Sequence, residues 1–349
     1  MITSALNYDP GTLLYSGIIG TGGIGSGKLF ALNGNETLGR EESRSGHFLD
    51  VKDYCKQHII LHYIKVLLGY DFLVLPVGKI GDDEIGHTLF REMSETGFVM
   101  DRVEIVKKLS TLFSFCFYYP DGSGGNLTTD NSACLQVDKN YIEKAEPDIQ
   151  KLGKTGIVMA APEVPLEARE KLLELGKKHG LFCTASFTTE EISYALDIGT
   201  INNTDLLAIN IDEANAVAGS VINKTDATSI VQTAVQKLHS CNKNIFISVT
   251  NGKDGSWCWD GHKLKSFPAV KTEAVSTAGA GDAFFSGIIC GLSIGLHLFD
   301  AQQLASLLAG LSVTSCDTIH KGADRQLLQK FMRKSDLKFS DTIIKLLED

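Results

Sequence analysis

Residues 277–282 read Thr-Ala-Gly-Ala-Gly-Asp and run directly into an apolar stretch, 283–292, with the makeup of a buried helix. The N–H groups of a helix's first turn point outward, and the helix dipole favours an anion in front of them. Glycines let that anion come close to the backbone. Asp282 falls in this first turn, where a carboxylate can accept the proton of a hydroxyl held beside a phosphate. A carboxylate at a helix start is also an ordinary cap. The density of small residues just before it favours the chemical reading.

Two other glycine patterns compete. Gly20-Thr21-Gly22-Gly23-Ile24-Gly25 fits G-x-G-x-x-G and follows a strand, as a dinucleotide fingerprint does. The stretch after it, 29–46, contains Asn33-Gly34-Asn35 and no clean helix, so a tight turn against a ligand or strand is the better reading. Gly22, Gly27 and Lys28 fit G-x-x-x-x-G-K, but Leu29 stands where a hydroxyl would hold magnesium, which argues against a P-loop. His58 and His62 lie four apart on a helical pattern. Ile59 occupies the place where a zinc protease needs Glu, and no third ligand is evident, so buried helix histidines are expected.

The elements that must position these residues alternate. Strands are expected at 16–20, 72–77, 156–159, 181–185, 205–209 and 245–250. Helices are expected at 56–68, closed by Gly69, and at 166–179, 189–196, 212–218 and 227–240. This alternation predicts a parallel, doubly wound sheet covered on both faces. Segments 29–49 and 104–137 break it and read as β excursions forming a lid, the second with a turn at Pro120-Asp121-Gly122. The domain is expected at 15–326, after an N-terminal segment, 1–14, and before a helical tail, 327–349.

Of 349 residues, 43% are apolar and 21% charged, as in a folded chain with a large core. Lys and Arg number 33 against 42 Asp and Glu, giving −9 with no basic runs, so nucleic acid is not an expected partner. No apolar stretch is long enough to span a bilayer, and the first ten residues show no secretory pattern. A cytoplasmic location without a membrane partner is expected. The eight cysteines are scattered singly and are expected to be reduced and buried.

Four segments occur in order: Gly78-Lys79-Ile80-Gly81-Asp82-Asp83-Glu84-Ile85-Gly86, Asn210-Ile211-Asp212-Glu213, Thr250-Asn251-Gly252-Lys253-Asp254-Gly255 and Ser276-Thr277-Ala278-Gly279-Ala280-Gly281-Asp282. They resemble the G-x-V-G-D-D-x-x-G, N-x-x-E, T-x-G-x-x-G and D-T-x-G-A-G-D motifs of the ribokinase-like (PfkB) carbohydrate kinases, the last departing at its first position. The resemblance implies an α/β fold: a doubly wound, mainly parallel sheet with helices on both faces and a small β lid. It implies ATP-dependent transfer of a phosphoryl group to a hydroxyl of a sugar, nucleoside or related small molecule. Asp282 would be the base, with the N–H groups of Gly279, Ala280 and Gly281 as anion hole. Asn210 and Glu213 would organise Mg2+ and its waters. Thr250 and Gly252, in the turn closed by Gly255, would contact ATP phosphates, and Ser306 would open a stretch passing near adenine. Seen alone, Asn210-x-x-Glu213 reads equally well as a helix cap.

The departures lie on the acceptor side. That family places an Asp just after the first strand to grip sugar hydroxyls; here 22–27 holds no acid. Asp50-Val51-Lys52-Asp53-Tyr54-Cys55-Lys56 replaces its G-G-x-G-x-N segment, and Thr184-Ala185-Ser186-Phe187-Thr188 replaces a D-x-N-x-R-like stretch. Arg40, Arg44, Asp50, Asp53 and Lys56 are therefore the groups expected to read the acceptor, the cations by holding an anionic group on it. A solvated charged loop is the plain alternative. Ser276, where many relatives have an Asp that helps hold potassium, implies a weakened monovalent-cation site. The partners implied are ATP and a small-molecule alcohol, with the lid suited to a homodimer. A nucleotide- or metabolite-sensing protein on the same fold is the second reading.

Overall fold

The computed structural model describes residues 4–121, 123–219 and 226–348. Its strands, numbered along the chain, are β1 (Gly17–Thr21), β2 (Gly25–Leu32), β3 (Gly46–Phe48), β4 (Asp53–Tyr54), β5 (Leu73–Gly81), β6 (Val103–Val106), β7 (Leu112–Tyr118) and β8 (Gly124–Thr128). They continue with β9 (Gly156–Ala160), β10 (Phe182–Ala185), β11 (Leu206–Asn210), β12 (Phe246–Thr250), β13 (Ser256–Trp259) and β14 (Leu264–Phe267). Nine form the main sheet in the order β14-β13-β12-β11-β10-β9-β1-β5-β6. From β12 to β6 all pairings are parallel, while β13 and β14 turn back antiparallel at one edge.

The chain enters at β1, winds outward through β5 and β6, then crosses to β9 on the other side of β1. The winding direction reverses between β1 and β9. In doubly wound sheets, ligands bind beyond the carboxyl ends of the strands at such a point.

Both sheet faces are buried, as a parallel sheet requires. Side chains alternate along each strand. Ile18, Val74, Ile157, Met159 and Leu206 join one core, and Ile19, Leu75, Val158, Ala160 and Leu207 the other. The helices are α1 (Lys56–Leu68), α2 (Glu84–Thr96), α3 (Lys139–Glu143), α4 (Glu146–Leu152), α5 (Leu166–His179), α6 (Ile192–Asp197), α7 (Ile211–Ala218) and α8 (Ala227–Cys241), then α9 (Ala280–Ser293), α10 (Leu298–Ser312), α11 (Arg325–Lys334) and α12 (Asp341–Leu347). Residues of α1, α9 and α10 fill the first core, and those of α5, α7 and α8 the second. Helix α1 is buried nearly all round, including Gln57, whose amide donates to the Gly20 carbonyl at 2.6 Å.

The lid is a second sheet, ordered β3-β2-β7-β8, with β4 paired to β2. It begins at Gly25, earlier than the expected 29–49, and takes in β4 as well. Strand β2 opens Gly-Ser-Gly, and glycine is depleted in strands, so its first turn carries no β signal in the sequence. Residues 104–106, expected in the lid, belong instead to the edge strand β6 of the main sheet. In the expected turn at Pro120-Asp121-Gly122, Gly122 lies outside the described residues; Tyr119 N donates to Ser123 O across it at 2.7 Å. The expected helix 189–196 starts later, at Ile192, after a turn in which Glu191 accepts the Thr188 amide at 3.1 Å.

The tail packs into the domain. Ile343, Leu346 and Leu347 are buried in the first core, and Asn7 N donates to Leu346 O at 2.9 Å. All eight cysteines are free thiols, and Cys241 and Cys316 are exposed rather than buried. Among the described residues, no helix is long and apolar enough to cross a membrane.

Candidate active site

Helix α9 begins beyond the carboxyl ends of the strands with an unusual turn. Gly279, its N-cap, has φ of 78°, in the left-handed region that favours glycine. A Cβ there would also lie 2.7 Å from the Thr318 carbonyl oxygen. The turn closes by donation from Ala280 N to Thr277 O at 3.2 Å, and the helix proper starts with Ala283 N to Gly279 O at 2.9 Å. The amides of Gly281 and Asp282 meet no protein acceptor among the described residues. These are the free donors of a helix N-terminus. Ala280, expected to lend its N–H to an anion, has that N–H engaged by the turn, which leaves the Gly281 and Asp282 amides as the free donors.

A Cβ built on Gly281 would meet nothing within 4 Å. The space it would enter belongs to a cavity of about 440 Å³ lined by Gly279, Ala280, Gly281 and Asp282. Asn210, Thr250, Gly252, Gly255 and Ser306 line the same cavity, although they come from β11, β12, the turn after it and α10. Residues read from four separate stretches of sequence thus converge on one space.

Lys56, the first residue of α1, faces Asp282 with Nζ 3.9 Å from Oδ1. Ser286 ties the two helices together, its hydroxyl lying 2.6 Å from Asp282 O and 3.1 Å from Ile60 O. Burial pushes the Asp282 carboxyl above the usual carboxylate range, and the Lys56 charge opposes that rise. Lys56 is in turn held charged well above its ordinary value, chiefly by Asp282 and further by Glu163 and Glu213.

Asn210 and Glu213 form a complete capping box on α7. Glu213 N donates to Asn210 Oδ1 at 2.9 Å, and Asn210 N donates to Glu213 Oε2 at 2.8 Å. The cap reading is therefore correct, yet it does not displace the functional one. Burial raises the Glu213 carboxyl to about 7, against the Asn210 hydrogen bond and the Lys56 charge. A smaller cavity of about 80 Å³ joins Glu213, Asn210, Lys56, Thr250 and Asp282.

A further acidic group was not visible as such in the sequence. Glu163 follows β9, at the point where the winding reverses, with a strained φ of 77°. Its Oε2 accepts the Lys56 amide at 3.2 Å, and burial raises its carboxyl to about 7. It lies so close to Gly23 that a Cβ at 23 would be 2.3 Å from Oε2. The glycine-rich bend after β1 therefore makes room for a carboxylate from the neighbouring strand. The available signal was positional: a carboxylate three residues beyond a central parallel strand.

With this geometry in view, the model for pfkB family carbohydrate kinases matches residues 64–324. The chain belongs to the pfkB family of carbohydrate kinases. It is 24% identical to a ribokinase of Schizosaccharomyces pombe over 250 residues, covering 70% of this chain and 74% of that one. It is 26% identical to a deoxyribokinase of Salmonella typhi over 245 residues, covering 70% and 77%. The ribokinase of Arabidopsis thaliana, solved with ribose and ATP, superposes with a TM-score of 0.73 at 18% identity, covering 93% of this chain and all of that one. As a PfkB kinase the protein is a phosphotransferase with a hydroxyl acceptor.

Of the groups expected to read the acceptor of this PfkB kinase, Asp53 and Lys56 reach the site and three do not. Asp53 is buried under the lid, 8% exposed, against Gly27, where a Cβ would lie 1.9 Å from its Oδ2. Burial, with the Asp282 charge adding, raises its carboxyl to about 6. Lys56 stands beside Asp282 rather than at a separate acceptor contact. Arg40 and Asp50 are exposed, and Arg44 pairs with Glu42 at 2.6 Å and Glu36 at 3.9 Å on the lid's outer loop. Acids close in sequence neutralise Arg44 before any ligand could. Gly20–Gly25 bends from β1 straight into β2, with no helix N-terminus to hold a pyrophosphate, so the dinucleotide reading fails. The same bend rules out a P-loop at Gly22–Lys28. The rings of His58 and His62 pack 6.2 Å apart, and no cluster of three metal-ligating side chains occurs among the described residues.

Proposed function

We propose that Asp282 is the general base of an ATP-dependent sugar kinase whose acceptor is a neutral polyhydroxyl compound. The observation that carries the catalytic part is one turn of helix: free amides of Gly281 and Asp282 and the Asp282 carboxylate, all opening on one cavity. An acceptor hydroxyl placed against Asp282 would lose its proton to Oδ1 or Oδ2 as its oxygen bonds to the phosphorus, while the bond from that phosphorus to the ADP oxygen breaks. The amides of Gly281 and Asp282 would hold the equatorial phosphoryl oxygens where charge gathers. Lys56 would neutralise that charge and keep Asp282 ionised. Thr250, Gly252 and Gly255 would hold the remaining phosphates, and Ser306 would lie along the base.

The residues also suit magnesium. Glu213 and Asn210 offer oxygen ligands, and a buried carboxyl raised to about 7 gains from a nearby cation. Mg2+ there, bound through its waters, would screen the phosphate charge. Ser276, whose hydroxyl accepts the Ala278 amide at 3.3 Å, supplies no carboxylate for potassium. Replacing potassium with a bulky organic cation should accordingly cost little turnover; a steep loss would contradict this.

Electrostatics favour a neutral acceptor. Asp53, Glu163 and Asp282 act on one another or on Lys56, and Arg40 and Arg44 lie elsewhere. Carboxyls poised at about 6 and about 7 accept or donate hydrogen bonds to hydroxyls, but they repel a second carboxylate. A panel pairing neutral sugars with the matching sugar acids, assayed for labelled product, tests this. Neutral sugars should turn over faster. Preference for the acids would overturn the acceptor reading. As for assembly, we keep the lid as the place for a second copy, since Phe48 and Leu127 are 60% and 64% exposed there. Sedimentation across a concentration series tests this, and a monomer throughout would refute it.

A further inference from the structure

We infer that Thr318 is a positioning residue that fixes the distance between the acceptor and the transferring phosphoryl group. The inference rests on the roles of Asp53 and Asp282 proposed above.

Side chains alternate along the short strand β4 and the residue before it. Lys52 and Tyr54 point to one side and both reach Glu92 of α2, Lys52 Nζ at 2.9 Å from Oε1 and Tyr54 OH at 2.6 Å from Oε2. Asp53, between them, must then point to the other side, where it lies against Gly27 under the lid. One backbone edge of this strand pairs with β2, Gly27 facing Asp53. Its other edge is taken by two residues far along the chain. Lys52 N donates to Asp317 Oδ1 at 2.8 Å, Thr318 N donates to Lys52 O at 3.1 Å, and Tyr54 N donates to Thr318 Oγ1 at 2.9 Å.

Thr318 is 3% exposed, and its other contact is the catalytic turn. Its carbonyl oxygen lies where a Cβ on Gly279 would be only 2.7 Å away, and its own Cβ would be 3.3 Å away. One buried residue thus grips the strand that carries Asp53 and abuts the turn that presents the Gly281 and Asp282 amides. Its hydroxyl is the contact that can be removed without disturbing the rest. Without it, the buried Tyr54 N–H loses its Thr318 acceptor, and the Asp53 strand loses its fixed spacing from Gly279. An acceptor held even slightly away from the phosphoryl group reacts much more slowly.

The test compares T318V, which keeps the shape and removes the hydroxyl, with T318S, which keeps the hydroxyl. D53N is run alongside. The acceptor is the neutral sugar returned by the panel above, with D-ribose tried first. T318V should raise the acceptor KM about tenfold or more and lower kcat, while the ATP Kd stays within about twofold. It should also raise the share of ATP hydrolysed without sugar phosphate forming. T318S should restore native values. Equal damage in both variants, or a T318V that only lowers Tm and keeps a native acceptor KM, overturns the proposal. If D53N alone is silent, the acceptor reading fails and the proposal with it; if D53N is impaired and T318V silent, only the Thr318 link fails.

Discussion

Lys56 Nζ and Asp282 Oδ1 stand 3.9 Å apart, so the first turns of α1 and α9 meet as an ion pair. Asp282 sits well with its own helix dipole, whereas a lysine in the first turn of α1 works against its helix. The acids facing it, Asp282 first, offset that penalty. Asp282 must be ionised to act as a base. Its carboxyl is raised by burial, so activity should fall, as pH drops, at a higher pH than an ordinary aspartate would give. Lys56→Met removes the one influence that lowers it. The acid limb of kcat/KM should therefore move further up in pH. An unmoved limb would mean that Lys56 does not act on the base.

The two glycines of the turn should respond in opposite ways. A side chain on Gly281 enters open cavity, so Gly281→Val should fold normally and lose turnover by filling the phosphoryl position. Gly279→Ala meets both a positive φ and the Thr318 carbonyl, so it should lower Tm as well as activity. Thermal melts beside steady-state rates separate the two. A Gly281→Val protein with native kinetics would place the anion elsewhere.

The turn that we propose holds the phosphoryl group was readable because its geometry is local. Glycines and a carboxylate within one turn, as at Gly279–Asp282, declare their backbone in their own sequence. The long periodic elements were equally legible: Lys56–Leu68 and Leu166–His179 form at the expected positions, since apolar spacing and a closing glycine set both. The side that we propose holds the acceptor is assembled by tertiary contact. Glu163 means nothing until β9 is known to lie beside β1, and Gly23 and Gly27 read as loop residues until Glu163 and Asp53 are seen to fill the space they leave. Arg40 and Arg44 carried the charge that the reading sought, but folding gave Arg44 to Glu42 and left Arg40 in solvent.

Glu163→Gln should trade activity for stability. The folded carboxyl, at about 7, lies above its ordinary value, so between those values the folded state binds more protons than the unfolded one. Stability is then lost as pH rises through that window. A glutamine, which does not ionise, should raise Tm at pH 8 relative to the native protein while raising the acceptor KM. A lower Tm at pH 8 would show that the ionised carboxylate is stabilising here.

His58 gives the opposite pH slope. Its imidazole is 2% exposed, with Nδ1 unpartnered, and burial lowers it to about 3. The unfolded chain takes up a proton below about pH 6.5 that the folded one refuses, so stability falls as the solution is acidified. At pH 5 this amounts to about 2 kcal/mol from this one group. His58→Phe should flatten the decline of Tm between pH 7 and 5. A variant whose Tm falls just as steeply would assign the acid sensitivity to other groups.

If Asp282 takes the acceptor proton, Asp282→Asn must lose turnover while still binding ATP. The amide keeps the shape and removes the basic oxygen pair. Isothermal titration with ATP and magnesium should give a Kd within a few-fold of native, while turnover with the sugar identified by the acceptor panel should drop by about 10²–10⁴-fold. An Asp282→Asn protein that binds ATP normally and still phosphorylates the sugar at a near-native rate would contradict the account.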